Sequence, residues 1–136
     1  MTAVEALTEQ SIASDPDVVR VRQMVRQAGV AAKLPLVDQI KLLTAASELA
    51  RNTLVHGGGG YATVEQVHNG RRAGVRVSFI DEGPGIADLE LAFTDGYTTG
   101  GGLGLGLSGS RRLCDEFDID TAAGQGTRVT VVKWTR

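Results

Sequence analysis

Glu48 and Asn52 stand four residues apart, Asp81 opens the run Asp81-Glu82-Gly83-Pro84-Gly85, and Gly100 to Leu107 reads Gly-Gly-Gly-Leu-Gly-Leu-Gly-Leu. Each piece supplies a chemistry that the others lack. An amide oxygen such as that of Asn52 suits a hard cation that keeps most of its own waters. A carboxylate such as Asp81 can read the donor edge of a base. The glycines at 102, 104 and 106 expose main-chain N–H groups, which cradle phosphate oxygens. In this order the pieces look like one nucleotide site, although any one of them alone would be a weak signal.

Several elements have to position these groups. Ser14-Asp15-Pro16-Asp17 reads as a helix start, with a polar cap, proline in the first turn and acids near the positive end of the dipole. Val18, Val21, Val25 and Ala28 continue it, and Gly29 suits the position where the chain leaves the helix. Residues 4 to 13 ahead of it suggest an edge strand on a weak pattern. A second helix runs from Leu36 to about His56, with Ile40, Leu43, Ser47, Ala50 and Leu54 on the side expected to meet a sheet. Thr44, Glu48, Asn52 and His56 form a separate polar stripe along it.

Tyr61 to Val67 and Val75 to Ile80 are rich in β-branched residues and flank His68-Asn69-Gly70, so they read as an antiparallel hairpin. Val75, Val77, Phe79 and Asp81 share a face by the period of two. If that face meets the helices, Asp81 is carried inward and needs a hydrogen-bonding partner. Residues 87 to 94 suggest a short helix and Asp95 to Gly102 a loop. A third helix runs from Leu105 to about Phe117, before a hairpin of Phe117 to Ala122 and Thr127 to Trp134 around Gly124-Gln125-Gly126. The order implies an α+β two-layer sandwich, a mixed and largely antiparallel sheet with helices on one face.

Bulk composition narrows the function. The chain has 136 residues, 42% of them hydrophobic, which fits a single domain, 1–136, with one modest core. Its formal net charge is -2, and no Lys/Arg stretch is interleaved with aromatics, so a nucleic-acid footprint is missing. Apolar runs are too short to span a membrane and no basic-then-apolar leader is present, so the expected location is cytoplasmic. The single cysteine, Cys114, excludes an internal disulfide and reads as a packing residue; two distant histidines make a structural zinc site improbable. Gly104 to Gly109 fits GxGxxG by letter but follows no apolar strand, and no glycine run is followed by a Walker A lysine. Seven glycines between 96 and 109, leading into a helix, favour phosphate binding over a plain loop. Arg111 and Arg112 read most simply as a solvated pair, Arg51 as either a phosphate contact or a surface residue, and His56 as a helix-end cap or surface residue.

Three boxes, Glu48-Leu49-Ala50-Arg51-Asn52, Asp81-Glu82-Gly83-Pro84-Gly85-Ile86 and Gly102-Leu103-Gly104-Leu105-Gly106-Leu107, with the closing turn Gly124-Gln125-Gly126-Thr127, resemble the GHKL (Bergerat-fold) ATPases. The likeness covers Leu36 to about Trp134. Within that superfamily the chain is most similar to the stand-alone serine/threonine kinases of bacterial partner switching, the RsbT type, through Asp81 to Phe117 and the closing Lys133-Trp134. The resemblance implies ATP and Mg²⁺ as cofactors. Asn52 would hold the metal, and Glu48 would be the general base for an attacking hydroxyl. Asp81 would accept from the adenine amine, with Gly83, Gly85, Ile86 and Thr127 beside the base. Gly102, Leu103, Gly104, Leu105, Gly106 and Leu107 would wrap the phosphates. It further implies STAS-domain protein substrates in a stressosome-type stress response, and a PP2C-type phosphatase as a second partner. The alternative is an ATP-gated binding module without transfer, such as an anti-sigma factor.

Overall fold

Alternating apolar residues set the sheet, and two long helices cover one side of it. The computed structural model describes residues 2–93 and 106–135. The expected loop from Asp95 to Gly102, and with it Gly102, Leu103, Gly104 and Leu105, lies outside the described residues. In chain order the elements are β1 (Ala3–Ile12), α1 (Asp15–Ala31), α2 (Leu36–Val55), β2 (Gly60–His68), β3 (Ala73–Asp81), α3 (Leu89–Ala92), α4 (Leu107–Leu113), β4 (Glu116–Thr121) and β5 (Thr127–Trp134). The strands form one sheet in the order β1-β2-β3-β5-β4, and every neighbouring pair is antiparallel, so the sheet is not mixed.

On the covered face, Val75, Val77 and Phe79 of β3 are buried, flanked by Ala62 and Val64 of β2 and by Val129 and Val131 of β5. Val18, Val21, Val25 and Ala28 of α1 close over them together with Leu42, Ala46, Leu49 and Ala50 of α2. The alanines let α2 lie close to the sheet, and each large apolar side chain buried here contributes roughly 1.5–3 kcal/mol. The expected inward row ending in Asp81 is therefore present. The opposite face carries a second, small cluster of Val67, Val132 and Trp134 beside a bidentate Arg76–Glu65 pair at 2.9 and 3.0 Å.

The edge strand expected ahead of α1 is present as β1, ten residues long, and its pattern is weak because it is exposed along almost its whole length. Several local expectations are corrected. Helix α1 does not end at Gly29. It runs on to Ala31, and the left-handed residue is Lys33, with φ 63°. Leu34 N donates to Gly29 O and Lys33 N to Val30 O, both at 3.0 Å, which is the Schellman pattern with lysine in the glycine position. Gly29 is there for packing, since a methyl on it would touch Gln39 and Leu34 at 3.5 and 3.6 Å. At the helix start the Ser14 side chain makes no cap. Instead Asp17 reaches back to accept from Ala13 N at 2.9 Å, and that bond holds its carboxyl below the usual range.

The buried side of α2 is Asp38, Leu42, Ala45, Ala46, Leu49, Ala50 and Thr53, rotated from the stripe expected through Ile40, which is exposed. Helix α4 stops at Leu113, short of Phe117, because Cys114 is already extended. Asp115 then accepts from Trp134 N at 2.7 Å, committing the chain to the sheet. Arg111 is not simply solvated, since its guanidinium lies 4.3 Å from the centroid of Phe93, which packs edge-on against Phe117.

Candidate nucleotide site

Where the last two turns of α2 face the ends of β3 and β5, the structure opens a cleft. Asn52, Thr53, His56 and Gly57 come from the end of α2, Asp81 from the end of β3, Thr127 from the start of β5, Gly85 and Ile86 from the loop after β3, and Leu107 from α4. Phe79, Val129 and Leu49 form the apolar floor. Residues expected to act together from four separate stretches of sequence thus share one cavity: Asn52, Asp81, Gly85, Ile86, Leu107 and Thr127. His56, the C-cap residue of α2, joins them.

Asp81 is the electrostatic centre of the cleft. Burial pushes its carboxyl above the ordinary aspartate value, and hydrogen bonds from the backbones of Gly83 and Thr127 pull the other way. The Gly83 N–H donates to Oδ1 at 2.9 Å. The other oxygen lies over the exit of α2, where a methyl on Gly57 would fall 2.5 Å from Cγ and Oδ2. Gly83 is required in turn, since a side chain there would meet the Gly57 carbonyl at 2.6 Å. Two glycines that lie far apart in the chain therefore let one carboxylate occupy its position.

Thr121, at the end of β4, secures the other wall. Its hydroxyl accepts from Ile86 N at 3.0 Å and lies 2.9 Å from both Gly126 O and the Thr127 hydroxyl. It ties the loop after β3 to the β4–β5 turn and fixes the side chain of Thr127, which lines the cleft. Register makes this possible, because Thr121 and Thr127 are direct partners across the hairpin.

Glu48 does not line the cleft. It lines an adjoining groove against α1 with Thr44, Ser47 and Arg51. An i, i+4 row turns by about 40° per step on a helix of 3.6 residues per turn, so the polar stripe winds from groove to cleft. Thr44 and Glu48 face the groove; Asn52 and His56 face the cleft. Glu48 nevertheless stands against the end of the glycine run, since a side chain on Gly106, with φ 64°, would run into its Cγ and carboxyl carbon. Cys114 has its thiol pushed up to about 11, chiefly by burial, which makes it inert as a nucleophile.

Residues 37–135 match the family described as histidine kinase-, DNA gyrase B-, and HSP90-like ATPase. The chain belongs to this ATPase family. Over 125 residues it is 41% identical to serine/threonine-protein kinase RsbT of Bacillus subtilis (strain 168), covering 92% of this chain and 94% of that protein. It is 32% identical over 115 residues to an anti-sigma F factor of Thermoanaerobacter sp. (strain X514), covering 79% of each. In fold it is similar to the RsbU and RsbW domains of a Mycobacterium tuberculosis protein, with a TM-score of 0.65 at 20% identity, over 95% of this chain and 32% of that one. The SiaB–SiaC complex of Pseudomonas aeruginosa gives 0.53 at 15% identity, over 96% and 90%. The GHKL resemblance and its closeness to the RsbT type are thus borne out, as is the α+β fold.

Two residues that shape the site, Gly57 and Thr121, are not marked by the sequence motifs. Gly57 belongs to a four-glycine run, Gly57 to Gly60, whose evident signal is the end of a helix. Thr121 could have been found from the hairpin register, which sets it opposite Thr127. Among the described residues no group of three His, Cys, Asp or Glu side chains could hold a metal, and no helix is long and apolar enough to cross a membrane.

Proposed function

We propose that this chain is a Mg-ATP-dependent protein serine/threonine kinase that phosphorylates STAS-domain proteins in a bacterial stress-response partner switch of the stressosome type. The observation that carries the reading is the placing of α2: Asn52 lines a cleft with Asp81 and Thr127, while Glu48, one turn earlier, stands against Gly106 at the end of the glycine run. In this reading Asp81 accepts from the adenine amine and Thr127 supports it, with Ile86 and Leu107 against the ring. Gly102, Leu103, Gly104, Leu105 and Gly106 present main-chain N–H groups to the phosphates.

The donor set fits Mg²⁺. A half-buried amide in the cleft, without a cluster of further side-chain ligands among the described residues, suits an ion that keeps waters and phosphate oxygens around it. Asn52 would hold it, and when bound it neutralises charge on the phosphates. Glu48 takes the proton of the acceptor hydroxyl. The hydroxyl oxygen bonds to the γ-phosphorus, and the bond from that phosphorus to the bridging oxygen breaks, releasing ADP. Identity to a serine/threonine-protein kinase over most of both chains supports transfer to Ser or Thr; a cytoplasmic location and a PP2C-type phosphatase as a second partner are what the RsbT-type resemblance implies.

A second reading is an ATP-gated binding module, in which nucleotide sets the affinity for a bound protein and little phosphate is transferred; the similarity to anti-sigma F factors keeps partner binding in view. Incubation with labelled ATP and purified STAS-domain proteins, followed by mass spectrometry, separates the two. A phosphorylated Ser or Thr is the result expected of the kinase. Stable complexes with no transfer to any of them favour the binding module.

A further inference from the structure

The connection between α1 and α2 holds a lysine where the backbone favours glycine. Lys33 has φ 63°, and no other residue but glycine has a positive φ among the described residues. An L side chain in the left-handed region costs free energy, and glycine is the usual occupant of this helix-ending position. The fold does not call for the lysine side chain: Ala32 and Leu34 on either side are buried, whereas Lys33 between them is exposed. A strained residue whose side chain packs against nothing points to a use outside the fold. Around it lies an apolar surface. Val30 near the end of α1 is 57% exposed, and Leu36, Val37 and Ile40 at the start of α2 are 69%, 62% and 56% exposed. Exposed aliphatic side chains grouped in this way mark an interaction site.

We infer that the tip of the α1–α2 hairpin is the docking surface for an acidic amphipathic helix of a partner protein, separate from the nucleotide cleft and from the groove beside Glu48. The inference goes beyond the kinase reading and does not depend on phosphate transfer. Charge selects the occupant. From Val18 to Ser47 the chain has five basic side chains and one acid, Asp38, although its overall net charge is -2. Asp38 is 2% exposed and turned towards Lys133 inside the protein, so it gives this surface no negative charge. Asp115, which meets the same Lys133 from beyond α4, is engaged by that ammonium and by Trp134 N. Arg26 stands one turn before Val30 on α1, and Lys41 one turn after Val37 on α2. Neither they nor Lys33 have an ion-pair partner among the described residues. Shape favours a helix. Two helices packed side by side present a seam, which a third fills with apolar residues at i, i+3, i+4 and i+7. Residues 18 to 47 contain no Phe, Tyr or Trp, so the tip has no ring to stack on a base and no interfacial anchor for a membrane.

The test uses the full chain and a synthetic helical peptide with Leu at i, i+3, i+4 and i+7 and Glu elsewhere, beside a version with Lys in place of every Glu. Backbone amide shifts of the isotope-labelled chain locate binding, and calorimetry measures its strength together with ATP affinity. Saturable shifts confined to the hairpin tip are expected with the acidic peptide. R26E/K41E should weaken that peptide by about tenfold or more with ATP affinity unchanged, and should bind the Lys peptide better than the parent chain does. Lys33→Gly separates a binding residue from a structural one. Relief of the left-handed backbone should raise the urea midpoint, while loss of the cation should weaken the acidic peptide by about two- to fivefold. Unchanged peptide affinity in either variant overturns the inference, as do equal affinities of the parent chain for the two peptides or an absence of saturable shifts at the tip. Shifts at the tip that grow with protein concentration alone would assign it to a second copy of this chain, and tighter binding to vesicles of anionic lipid than to the peptide would assign it to a membrane; either result overturns the inference too.

Discussion

At Asp81 two demands conflict. To accept from adenine the carboxyl must be ionised, yet burial raises its pKa above the ordinary value. An acid whose pKa is raised by folding binds more protons folded than unfolded, so stability falls as pH rises from the ordinary aspartate value through the raised one. Asp81→Asn should therefore leave the nucleotide-free protein at least as resistant to urea at neutral pH, because the amide oxygen can still accept from Gly83. It should nevertheless lose ATP affinity by about five- to a hundred-fold, since an amide donor would then face the adenine amine. Calorimetry at neutral pH checks this, and parental ATP affinity in the folded variant would remove Asp81 from base recognition. In the parent, ATP binding should weaken as pH falls through the raised pKa. Thr121 makes a separate prediction, because it acts through Ile86 and Thr127. Thr121→Val removes the acceptor for Ile86 N and should weaken ATP binding by roughly tenfold, the worth of about one hydrogen bond, with little change in the saturated transfer rate. Thr121→Ser, which keeps the hydroxyl, should restore it; failure of serine to do so would mean that the methyl group's packing matters instead.

Elements explain why some of this was legible in the sequence. The hairpins were readable because Val75, Val77 and Phe79 alternate against a covered face, and the turns between strands carry glycine. β1 was only faintly so, since an exposed edge strand has no face to mark. The extent of α2 was readable, but not its buried side: Ile40 and Leu43 offered an apolar stripe, while the sheet is met through Leu42, Leu49 and four small residues, Ala45, Ala46, Ala50 and Thr53. Small residues pack closely without announcing themselves in a hydrophobicity pattern. Equal spacing likewise concealed that Glu48 and Asn52 face different cavities. This geometry predicts that their variants separate. Asn52→Ala should lose metal-dependent ATP binding, whereas Glu48→Gln should keep ATP and acceptor binding and lose about 10²- to 10⁴-fold in single-turnover transfer. Gly106→Ala should resemble Glu48→Gln in kind, because the added methyl displaces the carboxyl group and strains a left-handed backbone. Undiminished transfer by Glu48→Gln would withdraw the base assignment.

The whole molecule has to hold α2, α4 and the end of β5 in one frame if cleft and groove are to share a wall. Lys133 does much of this from inside the protein. Only 5% exposed, it sends its ammonium to Leu113 O at 3.1 Å at the end of α4, to Asp115 at 3.4 Å, and towards Asp38 at 3.8 Å in the first turn of α2. Asp38 is itself 2% exposed. Removing the cation leaves a buried carboxylate without that partner, which costs about 3–5 kcal/mol, more than loss of a surface pair by several-fold. Lys133→Met, which keeps most of the apolar stem, should therefore lower the urea midpoint markedly with the slope unchanged. Adding Asp38→Asn should return part of the loss, because the charge that lost its Lys133 partner is gone as well. A surface arrangement would behave otherwise, with small and additive effects. If the two changes add without recovery, Lys133 is held by its contact with α4 alone, and α2 is positioned by apolar packing against the sheet.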